Sequence, residues 1–200
     1  SGLAVGFSFL KTAYENSNFI FNQIDIANTY TNDIVLQHER SIYTDVIKAI
    51  DIESNELIDF PTTMHSSKDS YAISKRDRPL AYIIKKNNYG FIEKLNDVGV
   101  NYVELEKDTM IYSGGYKVVE FNNKFKVYEK MKMQKVVTSI EYSNNKFSKG
   151  DILISMNQKR SNLIAELLEP EAPNSYVSFG IIKTSLNNQL PIYRIKNFNN

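Results

Sequence analysis

The chain has no cysteine among its 200 residues, which excludes disulfides, thiolate catalysis and zinc sites built on cysteine ligands while leaving the compartment open. It also lacks an excess of either charge. Against 24 Lys+Arg stand 23 Asp+Glu, a net charge of +1, so no long-range field steers it to nucleic acid or to an acidic membrane surface, and no nucleic-acid partner is expected. Histidine is scarce: His38 in HERS and His65 in HSSK are the only two, and neither begins a His-x-x-Glu pair that would present two metal ligands from one turn. Both read as ordinary surface or core histidines. The glycine spacings GxGxxG and GxxxxGK[ST], which cradle phosphates, are missing, as is the GxSxG elbow of a serine hydrolase. No long apolar run is present either. The opening stretch SGLAVGFSFLKTAYENS has no basic segment before it and soon meets Lys11 and Glu15, so it reads as neither a signal peptide nor a membrane span. A chain that opens inside a hydrophobic pattern is expected to be a piece, or the mature product, of something longer.

What is present suffices for a core, since 42% of the residues are hydrophobic, and the length suits one domain or one domain with an appendage. From Phe7 to Gln37 neither glycine nor proline interrupts the chain, and Phe7, Leu10, Tyr14, Phe21, Ile24 and Val35 recur near the helical period. One long amphipathic helix, or two joined ones, is expected there, with an apolar stripe that needs a partner surface. IYTDVIKAIDIE and NELIDF are β-branched and partly alternating, Pro61 ends them, and residues 62–77 read as a polar loop. Next, Leu80 to Lys85 predicts a strand, Phe91, Ile92, Leu95 and Val98 mark a short helix, Gly99 sits at its C-cap, and Val100 to Leu105 returns as a strand. That order predicts a β-α-β unit with parallel strands and a right-handed crossover. Turn signals at Ser113-Gly114-Gly115, Asn122-Asn123 and Ser143-Asn144-Asn145 separate strand-like segments into an antiparallel meander. Ser161 can cap a short helix with Leu163, Ile164, Leu167 and Leu168 on one stripe, Pro170 stops it, and VSFGII makes a closing strand. The expected fold class is α+β: an N-terminal amphipathic helix, then the β-α-β unit and the meander with a short C-terminal helix. Residues 1–45 are expected to form the helical segment and 46–200 the α+β domain.

Three groups of residues invite chemistry. Glu169 and Glu171 flank Pro170, and in an extended segment they would project from one face roughly 6.6 Å apart, within the range of the carboxylate pair of an inverting glycosidase. Catalytic carboxylates usually face each other from separate elements, so a hinge between helix and strand is the favoured reading. Lys124, Lys126, Lys130, Lys132 and Lys135 beside Phe125 and Tyr128 could stack bases. Alternation gives a plainer account, with Lys126, Tyr128, Lys130 and Lys132 towards solvent, Val127, Met131 and Met133 towards the core, and the lysines guarding a sheet edge. Tyr112, Tyr116 and Phe121, if exposed in a row, would suit contact with peptide or carbohydrate.

Together, RPLAYII, the β-α-β pattern ending in Gly-Val, and GDILISMNQKRSNLIAELLEPEAPNSYVSFG resemble the C-terminal extension of large bacterial members of the zinc carboxypeptidase family, the carboxypeptidase A-like metallopeptidases. In those proteins an Arg-Pro-x-Ala-Tyr strand opens the extension, matched here by Arg78, Pro79, Ala81 and Tyr82. A Gln, then Leu-Leu-Glu-Pro and a Ser-Tyr pair close it, matched by Gln158, Leu167, Leu168, Glu169, Pro170, Ser175 and Tyr176. The resemblance covers about residues 78–182. It implies a non-catalytic accessory domain that gives structural support or positions substrate, follows a catalytic domain of the same polypeptide as its partner, and lies outside the cytoplasm, periplasmic or secreted. The family's zinc ligands and catalytic glutamate have no counterpart here, so zinc is expected upstream, with no cofactor, metal ligand or catalytic residue in this chain. The alternatives are a stand-alone carbohydrate- or peptide-binding module and a glycosidase using Glu169 and Glu171. For stability, Leu167 is expected to matter more than Glu169, unless that carboxylate meets a buried partner.

Overall fold

Residues 2–28 and 33–197 are described by the computed structural model of the chain. The N-terminal region forms two helices, α1 (Gly2–Glu15) and α2 (Ser17–Asn28), joined at Asn16, whose side-chain amide donates to the Thr12 carbonyl at 2.8 Å. Helix does not continue to Gln37 as expected. Strand β1 (Ile34–Ile50) begins where the apolar period changes from helical to alternating, with Ile34 and Leu36 buried and Val35 exposed between them. The part of the expected helix over residues 29–32 lies outside the described residues, and the expected division after residue 45 falls inside β1.

The loop expected over 62–77 is also strand for most of its length. β2 (Leu57–Arg76) pairs antiparallel with β1 from Ile50↔Leu57 to Ile34↔Arg76 and carries Pro61 opposite Val46 without interruption. Both partners are the outer strands of a two-stranded sheet, where a missing proline donor can face outward. The polar composition hid a strand that is held by its neighbour's backbone. Its reversal is closed by the Asp51 N–H donating to the Glu56 carbonyl at 2.9 Å and by the Asp51 carboxylate accepting from Ser54.

The second sheet contains β3 (Ala81–Ile84), β4 (Val103–Glu104), β5 (Thr109–Tyr128), β6 (Met131–Phe147), β7 (Ile152–Ser155) and β8 (Gln189–Ile195), in the order β4-β7-β3-β8-β5-β6. Every pairing in it is antiparallel. The expected β-α-β unit is therefore absent: β3 and β4, on either side of helix α3 (Ile92–Asp97), do not pair, because β7 lies between them and bonds to both. With two antiparallel sheets and four α-helices among the described residues, the fold is predominantly β, not α+β. The helix itself is where the sequence put it, and Gly99, at φ 69°, follows it in the left-handed conformation that glycine accepts best.

The meander is one long hairpin. β5 and β6 reverse at Glu129-Lys130, both at positive φ (47° and 68°), the mirror-image turn favoured between twisted strands. Neither residue is a usual occupant of that turn, so the sequence signals pointed elsewhere. Gly114 and Gly115 lie mid-strand instead. A Cβ on Gly114 would stand 2.7 Å from Ile140 Cγ2 and one on Gly115 2.5 Å from Gln189 Nε2, so their role is close approach between strands.

Helix α4 (Ser161–Leu168) buries Ile164, Ala165 and Leu168, while Leu163 and Leu167 are half-buried, and Ser161 is its first residue with no side-chain cap bond. VSFGII forms turns rather than a strand, and the closing strand is β8, inserted between β3 and β5. The main core gathers Tyr82, Ile84, Ile152, Ile154, Leu190 and Ile192 against Ile92, Leu95, Ile164 and Leu168. The opposite face of the sheet holds a smaller cluster of Ala81, Ile83, Phe147, Tyr193 and Ile195. Burial on both faces explains the unbroken apolar run AYII.

Candidate functional site

Glu169 follows α4 with extended backbone (φ −74°, ψ 116°), as a residue before proline should. The turn this starts points its carboxylate inward, where it is wholly buried. Three elements converge on it. Arg76, at the end of β2, places Nη1 2.6 Å from Oε2. Tyr82, on β3, donates its hydroxyl to Oε1 at 2.5 Å, and Arg194, on β8, brings Nε to 3.3 Å from the same oxygen. Arg76 also bridges to Glu171, with Nη2 3.2 Å from Oε1, and that oxygen accepts from the Thr138 backbone and hydroxyl on β6, each at 2.7 Å. The Arg76 guanidinium lies over the Tyr116 ring of β5, 5.5 Å from its centroid. At the outer end, Arg194 donates to the Asp77 backbone carbonyl and lies 3.3 Å from the Asp77 carboxylate, which also meets Lys196 at 3.1 Å.

Ionisation follows from this packing. Burial, then the neighbouring Glu169 carboxylate, push the phenols of Tyr82 and Tyr116 well above their ordinary value. Burial works against the charge of Arg76 and Arg194, but both pKa values are raised, that of Arg76 by Glu169, then Tyr116 and Glu171, and that of Arg194 by Tyr116, then Glu169, Tyr82 and Asp77. Burial of Asp77 is outweighed by Lys196 and Arg194, which hold its carboxyl below the usual range. The Tyr116 hydroxyl finds no hydrogen-bond partner among the described residues.

The cluster therefore joins both sheets to the segment after α4, and its chemistry is that of a fastener. A glycosidic acid or nucleophile must touch substrate, whereas Glu169 is shut off from solvent and clamped with Glu171 by one guanidinium. The hinge reading holds in part: the segment does end a helix, but its carboxylate is a tertiary link and not an exposed charge. It meets buried partners, Tyr82 and Arg194, the condition under which Glu169 is expected to matter more than the half-buried Leu167.

The other matched residues are also brought into structural contacts. Gln158 accepts from the Asn101 N–H at 2.9 Å and donates to the Asn101 and Ser155 carbonyls. Arg78 donates to Asn162 at 2.7 Å. Pro79, Ala81 and Leu168 are buried, and Pro170 supplies the carbonyl that Ser175 Oγ donates to at 3.0 Å. Tyr176 packs its ring 5.4 Å from that of Phe91, and burial with the nearby Asp97 charge raises its phenol to about 12. Arg76 and Arg194 escaped sequence reasoning, and the sequence marks Tyr116 only as a candidate exposed aromatic, whereas it is fully buried. A lone arginine within the apolar strand QLPIYRI was the available signal for one of them; nothing distinguished Arg76 within the charged run SKRDR.

The remaining candidates stay apart. His38 and His65 are both exposed on the β1–β2 hairpin, paired with Ala72 and Ile42 respectively, and among the described residues no three His, Asp or Glu side chains group as metal ligands. Tyr112 is exposed, Phe121 half-buried and Tyr116 fully buried, so these rings form no exposed row. Val127 and Met131, expected to face the core, are exposed at the hairpin tip, while Met133 is buried. Between the two hairpins lies a cleft of about 270 Å³, whose lining includes His38, Phe125, Lys126, Gln134, Lys135 and Glu171. No described helix is long and apolar enough to cross a membrane.

Comparison with known proteins finds similarity in sequence to proteins named carboxypeptidase 2. The chain is 29% identical over 205 residues to "Carboxypeptidase 2" of Trichophyton equinum and 28% identical over 200 residues to that of Trichophyton tonsurans, each match covering 98% of this chain and 37% of the relative. "Probable carboxypeptidase 2" of Arthroderma benhamiae is 27% identical over 178 residues, 84% of this chain and 33% of the relative. These relatives are fungal, not bacterial. No protein-family model and no solved structure matches the chain. It is thus similar over almost its whole length to part of proteins named carboxypeptidase 2, and spans little more than a third of the length of those relatives.

Proposed function

We propose that this chain is a non-catalytic accessory domain of a carboxypeptidase-type metallopeptidase, one that supports the catalytic part structurally or positions its substrate. The observation that carries this reading is the coverage: the match takes in 98% of the chain but only 37% of the relatives' length. The site chemistry agrees with it, because the best-formed constellation of charged side chains is sealed within the fold. In this reading zinc and the catalytic base belong to another part of a longer polypeptide, that part is the chain's partner, and the protein works outside the cytoplasm. The eleven matched residues, from Arg78 to Tyr176, serve to hold the domain together.

Two measurements test the proposal. The 200-residue chain, supplied with zinc and peptides bearing free C-termini, is expected to bind no stoichiometric zinc and to release no C-terminal residue; release at stoichiometric zinc overturns the reading. Exchanging the matched region of a Trichophyton carboxypeptidase 2 for this chain is expected to retain peptidase activity, and an inactive exchange product counts against an accessory role. A binding-module reading has one observation in its favour, the cleft between the hairpins. Binding of peptide or oligosaccharide that is lost in Phe125→Ser would establish it.

A further inference from the structure

Helix α1 buries none of its side chains, although it is among the most apolar segments of the protein. Leu3, Phe7, Leu10 and Tyr14 are 67% to 89% exposed, and Val5 and Phe9 are also open to solvent. At about 100° per residue, Leu3, Phe7, Leu10 and Tyr14 fall within one narrow sector, but Val5 and Phe9 project from nearly the opposite side. The apolar arc is roughly 200° wide, about twice the stripe of an ordinary surface helix. The remaining arc holds Ser8, Lys11, Thr12 and Glu15 together with Ala4, and Lys11 lies 3.8 Å from Glu15, so the pair adds no net charge. Helix α2 carries a similar surface: Phe19, Ile20, Phe21, Ile24 and Ile26 are exposed on an arc of similar width, interrupted by Gln23, with Asn18, Asn22 and Asp25 gathered on the other side.

We propose that the α1–α2 pair is a docking element that seats in an apolar, concave surface of a second folded domain, supplied by the remainder of a longer polypeptide. This rests on the accessory reading above and names the surface through which that role is exercised. The width of the apolar arcs selects the occupant. A second copy of α1 laid alongside would cover a narrow seam and leave Val5 and Phe9 wet. An interfacial membrane helix carries a basic polar face, whereas here the single lysine is matched by Glu15. A helix apolar around most of its circumference is one enclosed by a protein interior. The relatives carry the larger part of their length outside the matched region, enough chain to form such an enclosure.

The absence of cysteine makes the proposal directly testable. Leu10→Cys and, on the polar arc, Lys11→Cys are each placed in the isolated chain and in the exchange product with Trichophyton carboxypeptidase 2, and the reaction of that position with a water-soluble maleimide is followed by peptide mass mapping. Position 10 is expected to react readily in the isolated chain and at least tenfold more slowly in the exchange product, while position 11 changes far less. If the exchange product is active but position 10 remains as reactive as in the isolated chain, docking through these helices is overturned and the accessory role stands. An inactive or insoluble product overturns both. Protection of position 10 in the isolated chain with rising protein concentration, matched by dimer mass in light scattering, or on adding phosphatidylcholine–phosphatidylserine vesicles, would assign the surface to a second copy or to a membrane and overturn the proposal.

Discussion

Two regions of this molecule have comparable apolar residues and opposite fates for them. From Pro79 to Ile195 most large hydrophobic side chains are enclosed, in a six-stranded sheet backed by α3, α4 and the turns after Glu169. From Leu3 to Ile73 the list of exposed ones is long: Phe7, Leu10 and Phe19 on the helices, Ile42, Ile47, Phe60 and Tyr71 on the β1–β2 hairpin. Among the described residues of this stretch only Ile34 and Leu36, at the hairpin's base, are buried large hydrophobics. The difference is not one of composition but of whether a second layer closes over the apolar face. A two-stranded ribbon has no second layer of its own and is marginal in isolation. What ties it to the rest is its base, where Ile34 and Leu36 join the main core, Gln37 donates to the Glu171 carbonyl, and Arg76 meets Glu169 and Glu171.

That contrast can be broken most severely at Glu169. Glu169→Gln leaves Arg76 and Arg194 facing each other without the carboxylate between them, and removing one partner of a buried ion pair typically costs about 3 to 5 kcal/mol. Denaturant unfolding of the chain should show a loss of this size, and a loss of a few tenths would mean that solvent reaches the cluster. Leu168→Ala comes next, at about 2 to 5 kcal/mol for a buried leucine, with Leu167→Ala costing less because its side chain is half-exposed; a reversed order of their melting temperatures would contradict the packing of α4.

The cluster should also mark itself in alkaline solution. Tyr82 and Tyr116 have raised folded pKa values. Below pH ~10 both the folded and the unfolded chain keep the phenolic protons, so the full stability is present; above it the unfolded chain releases them while the folded chain does not. Stability should fall at about 1.4 kcal/mol per pH unit for each tyrosine so raised, and Tyr116→Phe should reduce the slope by one such increment. At neutral pH the same substitution removes an unpartnered hydroxyl, so it should leave stability nearly unchanged or slightly higher; a loss above about 1 kcal/mol would reveal a hydrogen bond there. The smallest effect belongs to the exposed region. Phe7→Ser in the isolated chain should shift its unfolding free energy by no more than about 0.5 kcal/mol, and a larger shift would show that α1 already packs against something.

Local pattern was legible wherever one element decided its own state. The helical spacing of Phe91, Ile92 and Leu95, the glycine that stops α3, the strand AYII and the helix before Pro170 all stand where the sequence indicates. Errors arose where state depends on a distant partner. TTMHSSKDSYAISKR is mostly polar, yet it is strand because β1 supplies its hydrogen bonds, and β3 and β4 are separated because β7 arrives from far downstream. Glu129 and Lys130 make a turn that neither residue favours, because the long strands on either side determine the register.

The sequence by itself determined the absence of cysteine chemistry and of phosphate-cradling loops, the amphipathic helices at the start, and the Leu-Leu-Glu-Pro segment that ends α4. Only the tertiary structure decided what Glu169 is. Its neighbours in sequence suggest a hinge or half of a catalytic pair, but its neighbours in space are Arg76, Tyr82 and Arg194, from three separate strands. A charged side chain's role depends on its local dielectric and on which charges lie within a few ångströms, and both are properties of packing that no single stretch of sequence contains.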